Sequence, residues 1–347
     1  MRNHFIHKSI LIILMLFLCT QLFAQNKFTK EITRDIKIVD EFSLTIENSY
    51  GNIDIKNWNN NSISIKVIIT VDEESEEAAQ KILDLINIKI SEDNKKAVAK
   101  TSINNVIPNK NFHIEYQIYL PVKVNIDINN SHGDVFIEEI KGKSKIFCKH
   151  GNISVNKFSN PDERAKIDIN YGIAKINDCK QIEIISKHAE LIINNAKEAY
   201  SNNKNSKLNF KNIGFLDIVS QYDSINIGLI DDLIINAKNS FFKINQLNSG
   251  LDIDIHDVGL TIPNISQDFK NIGIIAKISH LSLGISPQAY YSLEVVNKNG
   301  SFTYIENSEI KILRKGNNAL YSGIIGKKVD KMSRVNITFE YGSIAIN

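Results

Sequence analysis

One short motif recurs through this chain: a Tyr, His or Asn, then a small residue, then an alternating apolar run. It appears as ENSYGNIDI at 47–55, NNSHGDVFI at 129–137 and KHGNISV at 149–155, and the chain ends on EYGSIAI at 340–346. The first position of the motif recurs at a nearly constant interval, at His132, His150, Tyr171, His188, Asn205, Tyr222 and Asn239. A repeat of this kind predicts an architecture of stacked units.

Each repeat contains a second apolar run, and apolar residues alternate with polar ones in both runs. GIAKINDCKQIEIISKH at 172–188 is an example. A period of two predicts strands with one buried face. The sequence therefore predicts an all-β, single-stranded β-solenoid with about eleven rungs of roughly 17–23 residues, in which each strand pairs with its counterpart in the next rung.

Beyond Asn239 the repeat is less regular. Its first position is predicted at Asp257, His280 and Asn299, and it returns clearly at Tyr341. The long gap between Asn299 and Tyr341 would hold two rungs, with a degenerate copy of the motif near Asn318.

The motif is interpreted as the corner that every rung turns. The second position holds Gly in some copies but Ala189 or Ser206 in others, so we expect a tight corner with little room for a side chain. The residue before it should form a column along the stack. The predicted corner residues are Tyr50, Gly51, His132, Gly133, His150, Gly151, Tyr171, Gly172, His188, Tyr341 and Gly342.

An excursion interrupts the repeat at 72–120. LTIENSYGNIDI at 44–55 aligns without a gap to IDINNSHGDVFI at 126–137, so one rung-like unit precedes the excursion. EESEEAAQKILDLI at 73–86 places acids in the first turn of a predicted helix, which favours the helix dipole. We interpret residues 25–125 as a β-rich cap that covers the first edge of a solenoid over 126–347.

Residues 1–24 have the organisation of a secretory signal peptide. A basic start with Arg2 and Lys8 precedes an apolar run, and Ala24 offers a small residue for cleavage. A lipoprotein signal would need a small residue before Cys19, where Leu18 stands. No later apolar run approaches the ~20 residues of a membrane span. The prediction is an exported chain in the periplasm, at the outer surface or outside the cell.

The charge of the predicted mature chain argues against some partners. Removing residues 1–24 lowers Lys plus Arg from 41 to 39, against 39 Asp plus Glu. A net charge near zero disfavours nucleic acid and anionic membranes.

These features resemble a bacterial family of β-strand-repeat proteins of unknown function that is labelled "putative adhesins". The resemblance lies in LTIENSYGNIDIKNW at 44–58, the acidic helix, YQIYLPVKVNIDINNSHGDVFI at 116–137 and the KHGNISV type of repeat. It covers 42–193 well and the rest loosely. It implies a right-handed β-helix in the cell envelope or outside it, and it supplies no catalytic residues.

The chain contains histidines, acids and cysteines that could bind a metal, catalyse a reaction or form a disulfide. His132 and His150 would come close in stacked rungs, but the same corner accepts Tyr171 and Tyr222, so no metal site and no cofactor are predicted. Polysaccharide-acting enzymes exist among β-helices, yet catalysis needs convergent acids in one cleft. The His-Gly pair recurs here as a corner. Cys148 and Cys179 occupy different points of their repeats, so both should be free thiols.

The favoured function is therefore a non-catalytic binding or structural module, with a polysaccharide hydrolase or lyase as the alternative. Its partner could be a glycan or an envelope protein. The two longest rungs contain KFSNPDERAK at 157–166 and PNISQDFKN at 263–271. Insertions in repeat arrays often map to the binding face. The tentative contact residues are thus Phe158, Arg164 and Phe269, with Arg164 and Phe269 expected to be partly exposed.

Overall fold

The computed structural model describes residues 26–104, 111–304 and 309–347. These residues form an all-β protein with 75% strand and one helix, and the strands make one open, mixed sheet. The all-β prediction is confirmed. Within the described residues, no helix combines the length and the apolar character needed to span a membrane. The predicted signal peptide at 1–24, with Cys19, lies outside the described residues.

The N-terminal part contains the helix. Its elements are β1 (Asn26–Lys37), β2 (Ser43–Ser49), β3 (Ile53–Asn57), β4 (Ser62–Glu73), α1 (Glu76–Leu85), β5 (Ile86–Glu92), β6 (Lys96–Ile103) and β7 (Phe112–Leu120). The Ser75 hydroxyl accepts a hydrogen bond from the Ala78 N–H and caps α1, which buries Ala79 and Leu83. The helix therefore lies within the 73–86 run that the sequence singles out.

The middle of the chain stacks strands in parallel. Its strands are β8 (Asn125–Ser131), β9 (Val135–Ile140), β10 (Ser144–Lys149), β11 (Ile153–Phe158), β12 (Ala165–Asn170), β13 (Ile173–Lys187), β14 (Glu190–Lys204), β15 (Lys207–Gln221) and β16 (Ser224–Ile265). The step is 18 residues from β8 to β10, 21 from β10 to β12 and 17 between consecutive strands from β13 to β16. Ala174 pairs with Leu191, Leu191 with Leu208, and Leu208 with Ile225. Each of these steps equals the interval between the regular copies of the motif, so every side chain lies beside its repeat equivalent.

The core follows from this register. Alternate residues of β13, β14 and β15 are buried, and because the strands are parallel and in register, the buried positions align into apolar columns. One column contains Ile153, Ala174, Leu191, Leu208 and Ile225, all of them buried.

The first copy of the repeat, formed by β2 and β3, pairs with β8 and β9, which lie much later in the chain. Leu44 of β2 pairs with Ile126 on one side and with Ala97 of β6 on the other. Ile53 of β3 likewise pairs with both Val135 and Tyr116. The gapless alignment of 44–55 with 126–137 is confirmed by this register, and the 72–120 excursion returns to form the next layer outward.

The C-terminal part departs from the predicted order of repeats. Its strands are β17 (Asn271–Ile285), β18 (Tyr291–Lys298), β19 (Ser301–Thr303), β20 (Glu309–Lys315), β21 (Asn318–Ile325) and β22 (Ser333–Ile346). Ile337 of the last strand pairs in parallel with Ile274 of β17 and with Val295 of β18. The final strand therefore lies between two strands that are close neighbours in sequence.

Two sequence predictions fail in this part of the chain. The corner predicted at His280 lies instead at Ile278, and Ser279 takes the small position. The degenerate rung predicted near Asn318 does not form; Asn318 begins β21, which runs antiparallel to β18. Counting repeats along the chain cannot detect a strand that returns to pair between two earlier ones.

Candidate functional site

The corner residues share an uncommon backbone conformation. Positive φ angles of 51° to 61° occur at Tyr50, His132, His150, Tyr171, His188, Asn205, Tyr222, Asn239, Asp257, Ile278, Asn299 and Tyr341. His and Asn are among the non-glycine residues that adopt this left-handed region most readily. The left-handed position is therefore the Tyr, His or Asn itself, and the small residue follows it.

The glycine after the corner allows close stacking of consecutive rungs. A Cβ atom on Gly133 would lie 2.1 Å from the carbonyl oxygen of Gly51, and one on Gly151 would lie 2.0 Å from that of Gly133. The obstacle is backbone of the neighbouring rung in each case. This agrees with the expectation of a tight corner at these positions.

The corner side chains form a continuous stack of rings. Ring centroids are 4.9 Å apart for Tyr50 and His132, and 5.0 Å apart for each later pair down to His188. The faces of the inner rings cover one another, so the ring edges point to solvent. Across the described ranges, no group of three or more His, Cys, Asp or Glu side chains is arranged to hold a metal ion.

Buried side chains on the inner side of the corner form hydrogen bonds with the backbone carbonyl groups of the corner glycines. The amide nitrogen of Asn130 donates to the carbonyl oxygens of Gly133 at 2.8 Å and Gly51 at 3.1 Å. In the next rung the Cys148 thiol takes this place and lies 3.6 Å from the Gly133 oxygen. Cys148 and Cys179 are buried free thiols, as predicted, and burial raises the pKa of each to about 12.

A long groove with a mixed polar and apolar lining runs along the strands that follow the corner. Two contiguous cavities of about 590 and 280 Å³ share Ile192 and Asn194 in their walls. We call this the asparagine groove and define it by Asp54, Lys56, Phe136, Glu138, Ser154, Asn156, Lys175, Asn177, Ile192, Asn194, Asn209, Lys211, Asn226, Gly228, Lys243 and Asn245. It crosses eight rungs, or about 34 Å at ~4.8 Å per strand.

Hydrogen bonds between rungs hold the groove amides in place. Asn177 donates to the Oδ1 atom of Asn156 at 3.3 Å, and Asn194 donates to that of Asn177 at 3.0 Å. Asn226 donates to Asn209 at 3.3 Å in a second ladder. An amide has two N–H donors and two acceptor lone pairs, so ladder bonding leaves each with capacity for a ligand.

Charge in the groove is uneven along its length. At the N-terminal end Lys56 lies 3.3 Å from Asp54, and Glu138 accepts from the Asn57 N–H at 2.9 Å. Further along, Lys175, Lys211 and Lys243 line the wall without a carboxylate among the groove residues beside them. Phe136, partly exposed, supplies an aromatic surface near the N-terminal end.

The predicted contact residues Phe158, Arg164 and Phe269 lie outside the asparagine groove. Phe158 and Phe269 are only 3% and 1% exposed, so the expectation that Phe269 is partly exposed is wrong. Phe158 is the last residue of β11, and Phe269 packs against Tyr291 at 5.7 Å between ring centroids. Both aromatic rings fold inward because each buries apolar area that the long rung would otherwise leave in water.

Arg164 is exposed, and its guanidinium carbon lies 3.5 Å from the centre of the Tyr200 ring. The 159–164 loop is therefore folded across the adjacent repeat and contacts the second repeat along through a cation–π interaction. The groove asparagines were not predicted as site residues. The sequence carries a signal for them, since Asn177 and Asn194 are one repeat apart, and so are Asn209 and Asn226.

Three solved structures match most of the length of this chain. A "putative cell adhesion protein" from Clostridium sporogenes is 16% identical, with 92% of this chain and 99% of that chain covered and a TM-score of 0.18. A "putative adhesin" from Bacteroides fragilis is 12% identical, with 92% and 97% covered and a TM-score of 0.29. Another from Parabacteroides merdae is 15% identical, with 71% and 95% covered and a TM-score of 0.33.

No family model matches the chain, and no curated protein matches it. The descriptions of these three structures match the family that the sequence resembles. At these identities and TM-scores the likeness supports no inference about activity.

Proposed function

We propose that this chain is an exported, non-catalytic binding module that holds a linear glycan along the asparagine groove. Its scaffold is a right-handed β-solenoid of about eleven rungs. The constant pairing step between β13, β14, β15 and β16 and the corner column support the solenoid. The handedness rests on the family resemblance.

The observation that carries the proposal is the ladder of amides in the groove wall. Each ladder amide offers a donor and an acceptor at nearly the same spot, which suits the hydroxyl groups of sugars. The ladder repeats at the strand spacing, so a repeating polymer can make the same contact in successive rungs. Sugar hydroxyls form hydrogen bonds with water before they bind. A glycan-binding site must therefore offer hydrogen bonds that replace the ones lost to water.

A linear glycan fits the groove better than a folded protein partner. Protein interfaces have fully buried cores in which charged residues are depleted and aromatic residues enriched. The groove instead mixes amides, lysines and two carboxylates along about 34 Å, and among its apolar lining residues only Phe136 and Ile192 are not fully buried. Lys175, Lys211 and Lys243 favour glycans that carry carboxylate or sulfate groups over neutral ones.

A glycan array with the chain from residue 25 onward tests the proposal. Retention of linear glycans, with acidic ones bound best, is the expected result. The variant Asn177→Ala/Asn194→Ala should weaken binding about tenfold or more, since each lost hydrogen bond contributes ~1 kcal/mol. Asn212→Ala is the matched control: its amide donates to Asn195 at 3.0 Å in a similar ladder, outside the groove.

The same samples distinguish binding from catalysis. Incubating each retained glycan with the protein and measuring new reducing ends or unsaturated sugars should give no product. Turnover would favour the polysaccharide-acting enzyme. Absence of retention across the array would contradict the proposed function.

A further inference from the structure

The C-terminal end of the stack finishes on a strand with one open edge. β20 pairs antiparallel with β21, from Glu309 opposite Ile324 to Lys315 opposite Asn318. Among the described residues, no strand pairs with the other edge of β20. That edge presents backbone N–H and C=O groups in a row, which is a template for another strand.

The side chains of β20 combine charge with exposed apolar surface. Four of its seven residues are charged, but Leu313 is 70% exposed and Ile312 is 38% exposed. In β1, an edge strand at the opposite end, half of the residues are charged, which is a common way to prevent edge pairing. Its Arg34 also forms an ion pair with Glu92 of β5 at 3.4 Å. The apolar residues of β1 pack against the core, whereas Leu313 and Ile312 of β20 are exposed, so the two edges differ as docking surfaces.

The sequence of β20, EIKILRK at 309–315, is complementary to itself in the antiparallel register that pairs all seven of its residues. If Ile312 lies on a two-fold axis, Glu309 of each copy faces Lys315 of the other, and Leu313 faces Lys311. Sliding one strand past the other by two residues moves the axis to Lys311 or to Leu313. The first of these registers places Lys311 opposite Lys311, and the second places Lys311 opposite Lys315. Opposite charges across a strand pair stabilise it and like charges destabilise it, so the charges favour the full-length register over these two neighbours.

We propose that two copies of this chain associate end to end through their β20 strands, in the antiparallel register centred on Ile312. The two sheets become continuous across the axis. One short strand per copy forms a small interface, below the ~1,000 Å² of a typical stable complex. The dimer is therefore reversible and depends on protein concentration. It places two asparagine grooves in one particle, which raises avidity for a long polymer.

Sedimentation velocity over a range of protein concentrations tests the dimer. The wild-type chain should shift from monomer to dimer as concentration rises. Leu313→Lys places a lysine opposite Lys311 of the other copy and should hold the protein as a monomer. Ile275→Lys is the control: Ile275 is also well exposed but lies on β17, and this variant should dimerise like the wild type.

Charge exchange tests the register. Glu309→Lys and Lys315→Glu should each weaken the dimer, and the double variant should restore it because the pairs are re-formed with opposite polarity. A wild-type chain that stays monomeric at every concentration would overturn the proposal. So would a dimer that is unaffected by Leu313→Lys, or one that the double variant fails to restore.

A cysteine on the axis gives an independent readout. Opposed residues of an antiparallel pair have Cα atoms about 4.5–5.5 Å apart, within disulfide range. Ile312→Cys should form an intermolecular disulfide under mild oxidation, whereas Lys315→Cys should not, since its two copies lie about 20 Å apart along the strands. Cys148 and Cys179 are buried and should not interfere. Equal crosslinking at both positions would contradict the register.

Discussion

His150 and Tyr171 stack with ring centroids 5.0 Å apart, and so do Tyr171 and His188. The first pair is nevertheless separated by a longer stretch of chain, because its rung contains the 159–164 loop. The extra residues therefore leave the column unchanged and are absorbed elsewhere in the rung. The corner fixes the geometry of the stack, and the remainder of each rung can vary in length.

Replacing a corner glycine should be costly. In Gly151→Ala the new methyl group would lie 2.0 Å from the carbonyl oxygen of Gly133, so the backbone of two rungs must separate. We expect a loss of about 1–3 kcal/mol, as for other overpacked sites. The urea midpoint measures it.

Gly273→Ala is the matched control for that change. Its nearest obstacle is a carboxylate oxygen of the Asp252 side chain at 3.3 Å, which can move. This variant should stay within about 0.5 kcal/mol of wild type. Equal losses for the two variants would show that close stacking at the corner does not limit stability.

Relieving one strained corner should stabilise the protein. Ile278 is a β-branched residue with φ of 52°, a conformation that such residues rarely adopt. Asn is common at this backbone conformation, so Ile278→Asn should raise stability by about 1 kcal/mol. Thermal unfolding is a suitable measurement.

Ile275→Asn provides the comparison, because Ile275 is also exposed but lies in regular strand of β17. Asn is unfavourable in strands, so this variant should be neutral or less stable. If both substitutions change stability in the same direction by the same amount, backbone strain at Ile278 is not the cause.

Asp223 should make stability depend on pH. Burial raises the pKa of its carboxyl group, although Ser220 and the N–H groups of Ser206 and Gln221 donate to it and act in the opposite direction. A raised pKa means that the native state favours the protonated acid. This contribution is fully present below the ordinary value of 3.8 and is lost as pH rises through the folded-state pKa.

The variant Asp223→Asn removes that titration. Its stability relative to wild type should therefore be higher at about pH 7 than at about pH 4, and urea unfolding at both pH values measures the difference. A difference that stays constant, or that changes in the opposite sense, would contradict the assignment.

Both cysteine thiols should be unreactive toward thiol reagents in the folded protein. Cys148 and Cys179 are buried, and with pKa values of about 12 they carry almost no thiolate at neutral pH. A thiol reagent should label neither in native conditions and both in denaturant without prior reduction. Rapid native labelling, or a need for reductant, would be inconsistent with the structure.

The corner motif predicted the repeat register well, because Tyr, His and Asn before a small residue mark one backbone conformation at each turn. It failed at His280 because the corner is occupied by Ile278, a residue type outside the motif, and at Asn318 because that segment forms a strand antiparallel to β18. Such strand pairing joins distant segments, and a local pattern does not encode it. The burial of Phe269 was missed for a similar reason, since it depends on Tyr291 from the next rung.

The asparagine groove is tested most directly by calorimetric titration with one type of acidic oligosaccharide in a series of increasing length. Affinity should rise with each added sugar until the oligomer spans about 34 Å, the length of eight rungs, and then level off. Asn177→Ala/Asn194→Ala should lower affinity for the long oligomers about tenfold, and Asn212→Ala should not. An affinity that is independent of length, or is weakened equally by Asn212→Ala, would contradict binding along the groove.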